Sequence, residues 1–291
     1  MHVCVEWRAD EQCGAILNLL AGAAVELGHQ VCRWRHEGQP WPDRGTPVCP
    51  CDAAVLWNGF HPVYSRPRKQ LKQWGARTIF AELGWLPQDG TFQLDPAGVN
   101  AGASWVAERV GQRTGELVQV ASGDLLVCLQ DDNDSQMCYS PWFAGAQPFL
   151  EHLAHHAQLP MRIRAHPLFP ARGGAKRIVA GYPRMTWDDS PTLDQSMGRA
   201  RAMAVINSTC GLAALQAGLP LLCFGRAVYS QPGAVWQFDG TLKWTYSRTM
   251  QLKHRRCDLD RGTQQATLRW VLGHQYTAAD LPGCLAAHLG E

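Results

Sequence analysis

The stretch Met203-Ala204-Val205-Ile206-Asn207-Ser208-Thr209-Cys210-Gly211-Leu212-Ala213-Ala214-Leu215-Gln216-Ala217-Gly218-Leu219-Pro220-Leu221-Leu222-Cys223-Phe224 decides the fold class. Met203 to Ile206 is a short unbroken apolar run, the pattern of a strand buried on both faces. Asn207, Ser208 and Thr209 are residue types that begin helices. An Ala/Leu segment from Thr209 to Ala217 reads as a short helix, Gly218 stops it, and Leu219 to Phe224 is a strand again. Strand, helix and strand in this order form a βαβ unit, which lays its strands parallel.

The alternation continues on both sides of this stretch. Leu125 to Leu129 and Met161 to Ala165 read as strands, with a helix from Phe149 to Gln158 between them. Two helices are predicted near Gln264–Leu272 and Ala278–His288. Nearer the start, Val3, Val5 and Trp7 alternate as in a strand. Ile16, Leu20, Ala23, Ala24 and Leu27 recur at helical spacing before Gly28, and Val31 to Trp34 begins the next strand. Ala53 to Trp57 and Thr78 to Ala81 are further strands, separated by a basic helix from about Pro67 to Trp74. Gly84 to Ser104 is rich in Gly, Pro, Asn and Asp and is expected to be a long loop. Two such halves predict an α/β protein of two Rossmann-like domains, their parallel sheets facing an interdomain cleft. Ligands are then expected beyond the carboxyl ends of the strands. The expected boundaries are 1–122, 123–275 and a C-terminal helix at 276–291 that packs back on the first domain.

Composition narrows the function. The 291 residues carry 27 Lys and Arg against 25 Asp and Glu, a formal charge of +2, which excludes a polybasic binder but leaves room for a local basic groove. With 46% hydrophobic and 18% charged residues the chain is not largely disordered. No apolar run is long enough to span a membrane and the first residues do not resemble a signal peptide, so a cytoplasmic location is expected. The 11 cysteines are an odd number and too sparse for a small disulfide scaffold, which suits free thiols in a reducing compartment. Cys49-Pro50-Cys51 is too tightly spaced for the usual zinc pair, no Cys-x-x-Cys occurs, and no metal site is predicted. Gly-x-Gly-x-x-Gly, Gly-x-x-x-x-Gly-Lys-Ser/Thr, His-Glu-x-x-His and Gly-x-Ser-x-Gly are all absent, which lowers the case for a dehydrogenase, P-loop enzyme, zincin or α/β-hydrolase.

Four places carry chemistry. Asn207-Ser208-Thr209 before the Ala/Leu helix combines hydroxyls, helix N–H groups and small residues that let a ligand reach the backbone; it is either an anion site or an ordinary helix start. His166-Pro167, after Arg162 and Arg164, places an imidazole at a strand end, where it could donate to a phosphate. Leu129-Gln130-Asp131-Asp132-Asn133-Asp134-Ser135 puts carboxylates just past a strand: an Asp132/Asp134 metal pair, a catalytic carboxylate, or a solvated turn. Glu82, in Phe80-Ala81-Glu82-Leu83-Gly84-Trp85-Leu86-Pro87, ends an apolar strand, where a carboxyl can act as acid or base.

Taken in order, these pieces resemble the capsule polysaccharide biosynthesis family, which includes bacterial β-Kdo transferases of GT-B type. The resemblance is carried by Glu82 to Pro87, Asp95-Pro96-x-Gly98-Val99-Asn100, Leu129-Gln130 with Asp134-Ser135, His166-Pro167, Asn207-Ser208-Thr209 with Gly211-Leu212, and Gly225-Arg226-Ala227-x-Tyr229 with Pro232-Gly233. It implies a GT-B-like glycosyltransferase with no prosthetic group, using a CMP-, UDP- or GDP-linked nucleotide sugar. It implies that His166, Asn207, Ser208, Thr209, Gly211 and Tyr229 form the donor site. Asp134 is implied as the carboxylate facing the anomeric carbon in a metal-independent, retaining double displacement, with Glu82 as acid/base. Ala213 stands where many GT-B members carry a Glu that binds the donor ribose, so the donor base is left open. The implied acceptor is a bacterial surface glycan or glycolipid.

Two basic stretches allow other partners. Arg66, Arg68, Lys69, Lys72 and Arg77 form one. Lys243, Arg248, Lys253, His254, Arg255 and Arg256, interleaved with Trp244 and Tyr246, form the other. Basic residues alternating with aromatics can track a nucleic-acid backbone, which keeps DNA as an alternative acceptor through glycosylation of a hydroxymethylated base. An inactive nucleotide-sugar or nucleic-acid binding module is the third reading. The oligomeric state is not set by the sequence.

Overall fold

The computed structural model describes residues 1–8, 11–34, 49–58, 64–108, 113–171 and 173–290. Two compact units divide the chain: Met1–Ala107 together with Leu272–Glu291, and Glu108–Val271.

The first unit is built on six strands: β1 (His2–Glu6), β2 (Gln30–Trp34), β3 (Ala53–Trp57), β4 (Arg77–Leu83), β5 (Thr91–Asp95) and β12 (Tyr276–Thr277). They lie in the order β2-β1-β3-β4-β5-β12. The first four pair parallel; β5 runs antiparallel to β4, and β12 antiparallel to β5. Helix α1 (Glu11–Glu26) follows β1, α2 (Ser65–Trp74) precedes β4, and α9 (Leu281–Leu289) packs beside α1. One face of the sheet joins Val3, Val5, Val55 and Ile79 to Leu17, Leu20 and Leu285; the other joins Cys4, Ala54 and Leu56 to Trp34, Tyr64 and Leu71. Alternate residues of β1 thus feed two cores, as a strand buried on both faces requires.

The expected loop at Gly84 to Ser104 is not one. Its middle is β5, and the rest is held by side chains that stand in for a ladder. Asp95 accepts from the backbone N–H groups of Ala97 (2.7 Å), Gly98 (3.1 Å) and Ser104 (3.0 Å). Asn100 Oδ1 accepts from the Trp85 indole and from Gln93 Nε2, both at 3.0 Å. Turn-forming residues therefore build a short antiparallel edge with its own polar scaffold, which composition alone reads as loop.

The second unit holds six parallel strands: β6 (Asp124–Cys128), β7 (Met161–Arg164), β8 (Met185–Trp187), β9 (Ala200–Val205), β10 (Leu221–Cys223) and β11 (Trp236–Gln237). Their spatial order is β8-β7-β6-β9-β10-β11. The intervening helices are α3 (Ala146–His156), α4 (Gly173–Gly181), α5 (Leu193–Gly198) and α6 (Cys210–Ala217), followed by α7 (Leu242–Lys253) and α8 (Arg261–Leu272). Strands β6, β9 and β10 are almost wholly buried. Phe143, Phe149, Phe224, Phe238 and Trp244 fill the core, with Phe149 and Phe224 centroids 5.0 Å apart. Gly218 ends α6 at φ +73°, a conformation that a side chain makes costly, and a Cβ there would also meet the Arg261 guanidinium.

Helices α4, α5 and α7 escape the sequence reading. In α7 the buried face is partly polar, with Thr245 and Thr249 beside Trp244 and Leu252, so its apolar period is broken. No helix among the described residues is long and apolar enough to cross a membrane.

Candidate functional site

In the second unit the chain runs outward from β6 through β7 to β8, then returns to β9 on the other side of β6. The first strand of such a sheet and the strand that restarts on its far side mark the topological switch point, and their carboxyl ends open a crevice there. The segments leaving β6 and β9 are Leu129–Gln136 and Ile206–Gly211. They hold Asp134 and the Asn207–Gly211 group singled out in the sequence.

A paired amide contact fixes these two segments to each other. Gln130 Nε2 donates to Asn207 Oδ1 at 2.9 Å, and the Asn207 N–H donates back to Gln130 Oε1 at 3.2 Å. Asn207 Nδ2 also donates to the Gln136 carbonyl at 2.6 Å and the Arg226 carbonyl at 3.2 Å. Asn207 is fully buried. It therefore positions three loops rather than presenting its amide to a ligand.

Tyr229 is equally buried, and its hydroxyl donates to the Ser208 carbonyl at 2.5 Å. A Cβ on Gly211 would lie 2.3 Å from the Tyr229 ring. The smallness of Gly211 thus makes room for the Tyr229 ring. The helix start also differs from expectation. Thr209 is the capping residue of α6 but has helical backbone angles and makes no side-chain capping bond; Ser208 Oγ accepts from the Cys210 N–H at 3.4 Å. Ser208 and Thr209 remain half-buried at this helix start, and Ala213 lies one turn further on, also half-buried.

Asp134 caps the short 3-10 helix Ser135–Tyr139, accepting from the Gln136 N–H at 2.9 Å. Burial raises its pKa against that hydrogen bond, the Ser135 contact and nearby His166. Asp132 points elsewhere, accepting from the Ala146 N–H at 2.7 Å at the start of α3. The two carboxylates cap different elements, and among the described residues three or more potential metal ligands converge only in the first unit.

His166 leaves the end of β7. The Leu168 N–H donates to its Nδ1 at 3.2 Å, so the neutral ring carries its proton on Nε2. Burial lowers its pKa, opposed by Asp134 and Asp131. Asp134 and His166 thus sense each other at the crevice. The arginines before it do not join them. Arg162 and Arg164 are bound to the buried Asp188 at 2.6 and 3.0 Å, and Arg162 also donates to the Ser196 carbonyl at 2.9 Å. Burial opposes ionisation of Asp188, but hydrogen bonds from Ser196, Ser190 and Arg164 and the charge of Arg162 hold its pKa down at about 2. Their proximity in sequence to His166 reflects strand β7, not a shared anion site.

Arg226 is a residue that the site reading passed over. Its backbone is tied to Tyr139 and Asn207 (2.9 and 3.2 Å) while its side chain is exposed beside buried neighbours. The signal for it was Gly225-Arg226-Ala227, a lone charge in an apolar stretch.

Glu82 lies in the first unit, half-buried at the carboxyl end of β4, opposite Gln93 in the antiparallel register. Of its motif, Trp85 and Asn100 are structural, as described above. Glu6, at the end of β1, is a second carboxylate in this unit and was not singled out in the sequence. It is fully buried and accepts from the Trp57 N–H at 2.8 Å and the Tyr64 hydroxyl at 2.9 Å.

The basic stretches lie mainly on α2 and α7, with Arg77 opening β4 and His254, Arg255 and Arg256 following α7. In α7, Trp244 faces the core, 5.4 Å from the Phe238 ring, and of the two aromatics only Tyr246 is exposed. The bases and aromatics do not share one surface stripe. In α2, Arg66, Lys69 and Lys72 are exposed.

These features can be set beside known proteins. Protein FixF of Sinorhizobium fredii (strain NBRC 101917 / NGR234) is 28% identical over 186 residues, covering 54% of this chain and 44% of FixF. The match therefore spans less than half the length of that relative. Thermosulfurimonas dismutans KpsC, beta Kdo 2,7 transferase, superposes with a TM-score of 0.57 at 13% identity over 99% of both chains. The beta Kdo 2,4 transferase of the same organism's KpsC gives 0.54, also at 13% identity, over 98% of both. At such identity the likeness is one of fold, and the fold is GT-B-like α/β. The model of the capsule polysaccharide biosynthesis protein family matches residues 110–270, which takes in β6 to β11 and the crevice at their switch point. The chain belongs to the capsule polysaccharide biosynthesis protein family.

Proposed function

We propose that the protein is a glycosyltransferase that moves a sugar from a nucleotide donor to a bacterial surface glycan or glycolipid. The observation that carries this reading is the switch-point crevice of the second unit. A half-buried carboxylate, an Nε2–H imidazole and the hydroxyl-bearing start of α6 stand there at the carboxyl ends of parallel strands. His166, Ser208, Thr209 and the exposed Arg226 bind the donor phosphate. Asn207, Gly211 and Tyr229 hold the α6 corner in place and contribute through position.

In this reading Asp134 attacks the anomeric carbon, forming a glycosyl ester as the nucleotide leaves. The acceptor oxygen then displaces Asp134, and Glu82 takes the acceptor proton. Two displacements retain the configuration. Asp134 must be ionised to attack, and its raised pKa places the acid limb of the rate profile above the ordinary carboxylate value of 3.8. The reaction is proposed to need no metal, since Asp132 and Asp134 cap different elements. The two KpsC structures, named for beta Kdo transfer, favour a CMP-linked Kdo-type donor.

A thermal-shift screen with CMP, UMP, UDP, GDP and ADP, with and without Mg²⁺, tests the donor site. A ligand at about 100 times its Kd stabilises the folded state by about 2.7 kcal/mol, or roughly 5–10 °C for a chain of this size. The expected result is a CMP-specific shift independent of Mg²⁺ and abolished in His166→Ala. A UDP or GDP shift changes the donor, and no shift with any nucleotide overturns the reading.

A further inference from the structure

The first unit gathers sulfur that the sequence keeps apart. Cys4 and Cys32 are register partners on the parallel strands β1 and β2, so their side chains leave the same face of the sheet. His2 lies two residues before Cys4 and shares that face. Cys49 comes from the segment that leads into β3. The ligand atoms of His2, Cys4, Cys32 and Cys49 all lie within 4.8 Å of one another. Cys49 Sγ is 3.5 Å from Cys32 Sγ and 3.9 Å from His2 Nε2. A Zn–S bond of about 2.3 Å in a tetrahedral site sets ligand–ligand edges of about 3.8 Å, so small side-chain movements complete the geometry.

The histidine supplies an independent observation. Its Nδ1 lies 2.8 Å from the Pro50 carbonyl, an atom that can only accept. The proton is therefore on Nδ1, and Nε2 turns its lone pair toward Cys49. Donation from the second ring nitrogen to a backbone carbonyl is the usual support of a metal-bound histidine. The backbone around it is fixed as well: the His2 N–H donates to Asp52 at 2.7 Å, and the Asp52 N–H donates to the His2 carbonyl at 2.8 Å.

We propose that His2 Nε2 and the thiolates of Cys4, Cys32 and Cys49 form a closed, structural zinc site. Three thiols and one imidazole are soft and borderline ligands that select zinc over magnesium or calcium. Four protein ligands leave no open position for a substrate, as in structural sites. The site ties β1, β2 and the approach to β3, with His2 at the amino-terminal end of its strand, whereas Glu82 stands at the carboxyl end of β4. It is thus a staple of the first unit and takes no part in transfer. Each thiol loses its proton to solvent as zinc binds. Cys51 is buried and contacts Cys4 but is not among the four ligands.

The test uses the full chain without a polyhistidine tag, purified under reducing conditions and reconstituted with zinc alone. Elemental analysis is expected to find about one tightly held zinc per chain, and cobalt in its place is expected to give the absorption of a tetrahedral thiolate complex. A strong chelator is expected to lower the melting temperature. Cys32→Ser and Cys49→Ser are expected to weaken zinc binding by more than roughly tenfold, while Cys51→Ser keeps it. The wild-type titration stands even where a variant fails to fold. Substoichiometric zinc in folded wild-type protein overturns the proposal, as does a Cys32–Cys49 disulfide located by peptide mapping of the unreduced protein. Retention of zinc in Cys32→Ser with its loss in Cys51→Ser overturns the ligand assignment.

Discussion

The two sheets follow related plans yet use their polar side chains differently. In the second unit, Gln130, Asp134, His166 and Asn207 crowd the carboxyl ends of β6, β7 and β9. In the first, among the described residues, the thiols and His2 gather on one face of β1 and β2 beside the approach to β3, Glu82 stands at the carboxyl end of β4, and Glu6 is buried at the switch point between β1 and β3. An all-parallel sheet with a clean switch point leaves a crevice lined by loop polar groups. At the first unit's switch point the buried Glu6 carboxylate is instead taken up by the Trp57 N–H and the Tyr64 hydroxyl. The same topology puts a carboxylate near both switch points: one stays half-buried, and internal partners consume the other.

The largest effect that can break this contrast is catalytic. Asp134→Asn removes the proposed nucleophile while keeping the size and the Gln136 hydrogen bond. Transfer is expected to fall by roughly ten-thousandfold, about 5.5 kcal/mol of barrier, with nucleotide binding retained in the thermal-shift assay. Unchanged turnover removes Asp134 from the mechanism and leaves the second unit's crevice as a binding corner.

Next in size is the ion cluster beneath His166. Asp188→Asn removes the carboxylate that Arg162 and Arg164 share, leaving Arg162 its ion pair with Asp124, and is expected to cost about 3 kcal/mol in urea unfolding. Because Asp188 is held down at about 2 in the folded state, its stabilisation is complete above its ordinary value of 3.8 and is lost as pH falls toward 2. The acid sensitivity of the second unit between those values should shrink in the variant. An unchanged acid profile shows that Asp188 does not carry that dependence.

The smaller effects sharpen the reading of the α6 corner. Gly211→Ala drives a methyl into the buried Tyr229 ring and is expected to cost about 1–3 kcal/mol. Tyr229→Phe loses one hydrogen bond to the Ser208 carbonyl, about 1 kcal/mol. If Gly211 instead lay open to the ligand, Gly211→Ala would leave stability alone and weaken nucleotide binding. Calorimetric unfolding and nucleotide titration of the same variant separate these outcomes.

Much of the fold was legible because parallel strands buried on both faces write themselves as apolar runs, as in Leu125–Leu129 and Met203–Ile206. Strand β5 was hidden because its neighbours are turn formers that Asp95 and Asn100 organise. Helix α7 was hidden because threonines occupy its buried face. The motifs around the site were also visible, but their roles were not. Asn207 and Tyr229 look like ligand residues in a linear reading, yet both are fully buried with their polar groups satisfied inside the protein. Arg162 and Arg164 precede His166 in sequence and belong to Asp188 in space.

By itself the sequence determined the alternation of strands and helices, the strand-end positions of Asp134, His166 and Asn207, and the family resemblance. Each of these is written in local pattern, because burial period and chain punctuation act over a few residues. Only the tertiary structure decided which polar groups are consumed as internal partners. It also decided which cysteines meet: Cys4, Cys32 and Cys49 converge through parallel strand register, a contact between distant segments that no spacing along the chain encodes.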